Sequence, residues 1–490
     1  LKPLNWSTVM QLRNTDMSFE ELVRDLNITH LLTCREQSGE QNIQLTVQLI
    51  DAKDNTTVWQ ESYDSKPEEI FDIQNSVVEG VTRELGVEIS AEFRDQIQKQ
   101  PTENKKAYDL YRRGRWFWNQ RTPEGLKRSI QYYELAVQED PNFALPYAGI
   151  AEAFVLSHLY GYLTGGETHQ RAMDAAQKAL AIDSTLGEAY SCLGMIKVLY
   201  DWDWEQAEKD FKKAIELNPS YATAHHWYAE YLHCMARPNE SAEEYRIAME
   251  LDPLSLAIQR AMGIRYLDSK EYDLAIRLLN NVIEISPEFP WAYSFLGHAY
   301  YKKELYQEAL DVYDKAIEIE LNAGFSIEGL KILAQDFAVN PKALAGFKKM
   351  TEEWGRAQKS LDELRNEMEL LGRDQEALSG FKREMDRLFR DNLSHISNGM
   401  VYIKMGREEE ARKIAKIYKN IISWSYGTVL RRPLVLLYFA LGEYELGFSY
   451  LEYAVENKDY WVISMRIDSD FENVRSYPRF KALLKKMNLE

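Results

Sequence analysis

The stretch PWAYSFLGHAYYKKELYQEALDVYDKAIEIE, residues 290–320, decides the fold. Tyr293, Leu296, Gly297 and Tyr300 fall at helical spacing, and so do Ala309, Tyr313 and Ala316. The pattern predicts a pair of helices. Gly297 is small so that the two can approach, Ala309 is the matching small contact, and Tyr313 is expected to fill the space toward the next pair. The unit recurs: Pro219, Pro253 and Pro287 sit 34 residues apart, and one further step lands on Leu321. A period of that size marks an array of helix pairs. One pair cannot bury its own apolar face, so it stacks on its neighbours. Most of the chain is therefore expected to be a curved recognition surface.

Working outward, Met262, Gly263, Tyr266, Ala275 and Pro287 repeat the pattern. Ala229, Tyr245, Ala248 and Pro253 form the unit before, and Tyr190, Leu193, Gly194, Ala207, Phe211, Ala214 and Pro219 the one before that. Tyr133, Ala136 and Pro141 close a first unit, and Gly149 opens a second that ends near Ala179. Pro141 and Pro219 are 78 residues apart, ten more than two steps. The excess is assigned to two insertions, the Gly-rich run Tyr160–Glu167 and the turn Asp201-Trp202-Asp203-Trp204. The regular array thus covers 107–321. Residues 322–392 have helical composition without the spacing and read as irregular hairpins. The pattern returns in 393–460 with Gly399, Tyr402, Ala411 and the run from Tyr438 to Ala454. Residues 461–490 read as a capping segment ending in a short helix, Pro478 to Met487.

Residues 1–95 differ. Ser18 followed by Glu21 is a capping box that opens a helix from Phe19 to Leu26. His30 to Cys34 is strand-like. Ile43, Leu45, Val47 and Leu49 alternate with polar residues, the period of a strand with one buried face. Thr57-Val58-Trp59 resumes the strand signal after a turn at Asp54-Asn55. Ile70, Ile73, Val77, Val81 and Leu85 return to helical spacing. The region is expected to be a small α+β module with an antiparallel hairpin, ended by a polar linker at 96–106.

The spacings of 107–460 resemble those of the tetratricopeptide repeat (TPR) family. The resemblance implies a mainly α superhelical solenoid whose concave groove binds peptides or partner proteins. Thr46 to Lys53, Val58 to Asp64 and Ile70 to Gln74 resemble the TolB-like amino-terminal module of bacterial regulators, in which TPR repeats follow directly. Ala107 to Tyr111, Gly114-Arg115 and Arg121 to Leu126 are similar to that architecture's first repeat, and Pro478 to Leu484 to its closing sequence. The resemblance implies an effector upstream: a winged-helix domain, a nucleotide cyclase or a kinase. The chain starts with Leu1, inside the module, whose customary first strand and helix are missing. A processed or truncated chain is expected.

Composition narrows the function. Lys and Arg number 59 against 77 Asp and Glu, a net charge of −18. A phosphate-backbone binder needs a local basic stripe. The basic residues of 342–419 are instead interleaved with acids, so no nucleic-acid partner is expected. The three cysteines, Cys34, Cys192 and Cys234, form no CxxC, which argues against a disulfide framework or a zinc motif. No stretch approaches the ~18 consecutive apolar residues of a membrane span. A cytoplasmic location is expected, with the periplasmic portion of an anchored regulator as the alternative. No phosphate loop, GxSxG or Cys-His signature occurs, so no catalysis and no cofactor are expected.

In TPR units the first helix lines the groove. That register points His226, Trp227, Glu230 and His233 inward, beside Thr223 and Cys234. In a later unit it points Trp291, Phe295, His298, Tyr301 and Lys302 inward, beside Ser294. Phe143 and Tyr147 take equivalent places farther back. Aromatic side chains give large contact area at low entropy cost, and Lys302 is available for a carboxylate. Two readings stand: groove contacts for a partner, or core residues turned onto one another. His226, Glu230 and His233 share one helix face and with Cys234 are chemically suitable zinc ligands. They do not form HExxH, and a polar groove is the preferred reading. The expected function is a non-catalytic protein- or peptide-binding scaffold, the sensory or regulatory segment of a bacterial regulator, whose α+β module docks or makes a homodimer. The regulatory portion of a signalling enzyme, and a self-association module whose groove binds its own tail (Asp468–Glu490), are the alternatives.

Overall fold

In the computed structural model the described residues are 19–26, 28–38, 43–65, 70–87, 101–160, 163, 165–287, 289–324, 396–422 and 427–490. The irregular hairpins expected in 322–392 fall almost wholly outside them. Helix α1 (Phe19–Leu26) precedes strands β1 (His30–Ser38), β2 (Ile43–Asp51) and β3 (Thr56–Ser65). The strands form an antiparallel meander in the order β1-β2-β3. Leu45, Val47 and Leu49 are buried on one face of β2, as the alternation demands. Helix α2 (Ile70–Glu84) packs on β3.

From residue 105 the described regular structure is helical. The helices are α3 (Lys105–Asn119), α4 (Pro123–Glu139), α5 (Ala144–Leu159), α6 (Gly165–Ile182), α7 (Gly187–Ile196), α8 (Trp204–Leu217), α9 (Ala222–Cys234) and α10 (Pro238–Leu251). They continue as α11 (Leu256–Asp268), α12 (Tyr272–Ile285), α13 (Pro290–Lys302) and α14 (Tyr306–Gly324). After the undescribed stretch come α15 (Asn398–Lys404), α16 (Glu408–Ile422), α17 (Gly427–Ala440) and α18 (Tyr444–Glu456). Consecutive helices pack in pairs, α3 on α4 through α17 on α18. The result is a mainly α, TPR-like solenoid with a small sheet before it.

The repeat is set at its corners. Between pairs, the N–H groups of Asp140, Asp183, Asn218, Asp252 and Ser286 each bond to the carbonyl four residues back, at 2.8–2.9 Å. Their own carbonyls then accept from the residue three positions on. Pro141, Pro219, Pro253 and Pro287 follow four of these five corners. Proline has no N–H and cannot continue the helix. From Asp140 to Asp183 is 43 residues, nine over the step, and from Asp183 to Asn218 is 35, one over. Nine of the ten extra residues therefore belong to the α5–α6 pair, mostly as longer helices, of 16 and 18 residues against 13 and 14 in α9 and α10. The tenth lies in the turn after α7, where Lys197–Asp201 widens into a π-helix and Trp202 swings to φ 55°.

Within a pair the close approach is made at glycine. A Cβ on Gly194 would lie 2.8 Å from the Phe211 ring, and one on Gly297 would lie 2.6 Å from the Tyr313 ring. Tyr313 thus rests on Gly297 of its own pair. It does not only fill space toward the next one, as the spacing suggested. The reason is that an α13–α14 crossing with no Cβ leaves room for a whole ring. Tyr313 does reach onward as well, into a cluster with Val401 of α15.

The C-terminal segment folds back. Two 3₁₀ turns, Tyr460–Ser464 and Ser469–Val474, lead to α19 (Pro478–Lys486). Trp461, Phe471, Phe480 and Met487 are buried in one core with Trp118, Phe154, Trp202, Trp204 and Trp227. Each such side chain contributes about 1.5–3 kcal/mol on burial. Polar contacts fix the register. Trp204 Nε1 donates to Met487 O at 2.8 Å, Arg466 Nη2 to Cys234 O at 3.0 Å, and Lys458 Nζ to Tyr200 O. The inserted Trp202–Trp204 turn is therefore the seat of the chain's own end.

Candidate functional site

Helices α9, α11 and α13 are the first helices of successive pairs, so a 34-residue step superimposes their inward positions. Thr223, Ala257 and Trp291 are equivalent, as are His226, Arg260 and Ser294, then Glu230, Ile264 and His298. These helices and the C-terminal segment enclose a cavity of about 270 Å³. The wall from the repeats includes His226, Trp227, Glu230, His233, Cys234, Trp291, Ser294, Phe295, His298 and Lys302. The opposite wall is Arg432, Tyr460, Trp461, Ile463, Asp468 and Asp470.

Eight of the eleven residues read from the sequence as groove contacts therefore share one cavity. Three do not. Phe143 is fully buried, with its ring 5.4 Å from Tyr111 and 6.4 Å from Tyr108 between centroids. It precedes α5 at the corner of its pair and is core, not groove. Tyr147 is half-buried over Ala148, Ala179 and Ala189, with its hydroxyl donating to Pro141 O at 3.4 Å. Tyr301 turns toward Tyr306 and α15, away from the cavity. Trp227 lines the cavity yet is 3% exposed, so most of its surface is packed.

Lys302 is not available to a partner's carboxylate in this state. Its Nζ lies 2.6 Å from Asp470 Oδ1, and Arg432 Nη2 lies 2.8 Å from Asp470 Oδ2 and 2.7 Å from Asp468 Oδ2. His298 Nε2 is 3.7 Å from Asp470. Burial pushes the Asp470 carboxyl up, but His298, Arg432 and Lys302 outweigh it and hold the group well below the usual carboxylate range. Burial also lowers His298, so the lasting charge opposite Asp470 is that of Lys302 and Arg432.

At the other end of the cavity His226 Nε2 stands 3.8 Å from Glu230, while His233 pairs with Asp268 at 3.4 Å. The two imidazoles thus turn to different acids, and burial pushes the Cys234 thiol up. Among the described residues no group of three or more His, Cys, Asp and Glu converges on a metal position. Burial holds His226 down to about 4 against the pull of Glu230, with Arg260, Arg121 and Arg265 adding to the effect. Burial raises Glu230, but Arg265 and its other neighbours more than reverse this. Arg260 was missed in the sequence, although adding 34 to His226 reaches it. Asp470 and Arg432 left no periodic signal to read.

Comparison with known proteins agrees with the repeat assignment. Residues 263–304 match the family described as TPR repeat, and residues 292–322 match the family described as Tetratricopeptide repeat. Transcriptional regulator HilA of Salmonella typhimurium is 26% identical over 148 residues, 30% of this chain and 27% of that protein. Putative adenylate cyclase 3 of Rhizobium meliloti is 23% identical over 174 residues, 35% of this chain and 30% of that protein. The chain therefore spans less than a third of the length of either relative. Among solved structures, YrrB, described as a TPR protein with an unusual peptide-binding site, is 24% identical, with 38% of this chain and 91% of that one covered and a TM-score of 0.27. No helix among the described residues is long and apolar enough to cross a membrane. Residues 263–322 carry tetratricopeptide repeats, within a mainly α solenoid that a small antiparallel sheet precedes.

Proposed function

We propose that this chain is a non-catalytic scaffold for an acidic peptide or protein segment, the sensory or regulatory part of a bacterial signalling or transcription regulator. The carrying observation is the occupant of the inner face. Asp468-Ser469-Asp470 of the same chain sits between Lys302 and Arg432, with Trp461 and Phe471 buried beside it. A surface that takes an acidic 3₁₀ turn in cis presents the right chemistry for an acidic segment in trans. Charge-assisted contacts of this kind are the strong polar ones, and the flanking aromatics supply area. The partial likeness to a transcriptional regulator supports the regulatory reading. The partial likeness to a cyclase supports a second one, in which the effector joined to this segment is a signalling enzyme.

The test is competition. A labelled peptide of residues 460–477 is titrated into the wild-type chain and into an Asp468→Asn, Asp470→Asn double variant. The double variant, with its own anchor weakened, is expected to bind at least about tenfold more tightly, roughly 1.4 kcal/mol. Adding Arg432→Ala and Lys302→Ala to that variant should abolish the gain. Equal affinity for wild type and double variant would count against an inner face that recognises acidic segments.

A further inference from the structure

The end of the cavity away from Asp470 is rich in cationic side chains. The described lining residues include five fixed cations, Arg121, Arg260, Arg265, Lys302 and Arg432, against four carboxylates, Glu230, Asp268, Asp468 and Asp470. Lys302 and Arg432 are matched by Asp468 and Asp470. Asp268 is shared between Arg265, at 3.3 Å, and His233. Glu230 stands 3.8 Å from His226 Nε2, with the charges of Arg265 and Arg260 near it.

Donor atoms there lack partners. Arg260 Nε, Arg265 Nε and Nη1, and His226 Nε2 are buried and make no hydrogen bond. His226 is 8% exposed. An unpaired buried polar atom costs about 1–3 kcal/mol, so four around one space are a standing demand for an acceptor. The remaining wall is apolar: Leu156, Met195, Trp227, Ile264, Trp291 and Phe295. A volume of about 270 Å³ lies just under the ~300–1,000 Å³ usual for drug-sized ligands, which suits a smaller one.

We infer that this cavity binds one small organic anion, its carboxylate or phosphate on Arg260, Arg265 and His226 and its apolar body against Trp227 and Trp291. The site stands whether or not the inner face takes a protein partner. Because Tyr460 and Trp461 line it opposite the repeats, an occupant bridges the repeats and the C-terminal segment and holds the folded-back arrangement in place.

The experiment is isothermal titration calorimetry on the full chain with three probes. 3-Phenylpropionate carries both an acid and an apolar body, 3-phenylpropanamide is its neutral counterpart, and inorganic phosphate is charge without a body. The acid is expected to bind one to one, and at least about tenfold more tightly than either the amide or phosphate. Arg260→Gln should remove most of that difference, while Arg260→Lys keeps part of it, with the circular dichroism spectrum of the folded chain unchanged in both. The acid/amide comparison in the wild-type chain needs no variant, so it decides the matter even if Arg260→Gln does not fold. Absence of saturable binding, equal affinity for acid and amide, or phosphate binding as tightly as the acid would overturn the assignment. Failure here leaves the peptide competition untouched, because that assay reads Lys302 and Arg432.

Discussion

At the scale of the residue, the glycines carry the sharpest forecast. A methyl on Gly297 would press into the Tyr313 ring and one on Gly194 into the Phe211 ring, at 2.6 and 2.8 Å. Buried rings cannot withdraw without opening the pair. At Gly263 the added Cβ would meet Leu279 at 3.0 Å, a side chain with rotamers to spare. Alanine also gains about 1 kcal/mol of helix propensity over glycine. Gly297→Ala and Gly194→Ala are therefore expected to destabilise by ~1–3 kcal/mol, and Gly263→Ala to be near neutral. Urea melts of the three variants check the order, and a Gly263→Ala loss as large as the others would refute it. This part of the fold was legible in the sequence. Gly194, Gly263 and Gly297 stand at the same place in the 34-residue pattern, and only a crossing requires the smallest side chain there. What the pattern left open was which aromatic ring fills the gap.

At the scale of the element, the corners inside the pairs obey a rule that the sequence hides. Ala236, Lys270 and Glu304 all adopt left-handed φ, at 57°, 62° and 63°, as do Gly406 and Gly442 at 75° and 76°. In each case the next N–H bonds back across the helix end: Arg237 to Leu232 O, Glu271 to Tyr266 O, Leu305 to Tyr300 O. This is the cap that glycine makes most cheaply. Three of these five corners use other residues, as do the turns at Arg121 and Trp202, both at φ 55°, so no glycine punctuates the helices there, and composition alone could not place these turns. A non-glycine residue in that conformation is strained by about 1 kcal/mol. Lys270→Gly is expected to stabilise the chain by up to ~1 kcal/mol, and Gly442→Ala to destabilise it by a similar amount or more. Opposite shifts in thermal midpoint confirm the rule, and shifts of the same sign refute it. The same 34-residue step, carried one unit further, would have revealed Arg260. Half of the candidate site was thus readable from spacing, whereas Asp470 and Arg432 were not, since Asp470 lies in the C-terminal segment, beyond the last helix pair, where the 34-residue step has no counterpart.

At the scale of the whole molecule, the question is what holds the C-terminal segment against the repeats, and the turn at Lys458-Asp459 answers it in terms of pH. Lys458 accepts from His158 Nε2 at 3.2 Å through its carbonyl, and its ammonium lies 5.1 Å from the centre of the Trp202 ring. Asp459, fully buried, has Oδ2 2.7 Å from Arg431 Nε, off the line of a good hydrogen bond. Burial therefore wins over the guanidinium and pushes the Asp459 carboxyl up to about 7. Between its ordinary value near 3.8 and about 7, the folded chain keeps a proton that the unfolded chain releases. The stability this contributes is full below the ordinary value and is lost as pH rises through about 7. His226 works the other way: held down to about 4 from 6.5, it contributes stability above 6.5 that is lost as pH falls through about 4. Asn in place of Asp459 removes the first effect alone. The stability of Asp459→Asn relative to the wild type is expected to improve by about 2 kcal/mol between pH 5 and pH 8, whatever the absolute cost of the substitution. Chemical denaturation at the two pH values measures the difference directly. A difference that does not change with pH would mean that Asp459 is ionised throughout, with Arg431 holding the turn as a true ion pair. The closed arrangement would then rest on charge rather than on burial.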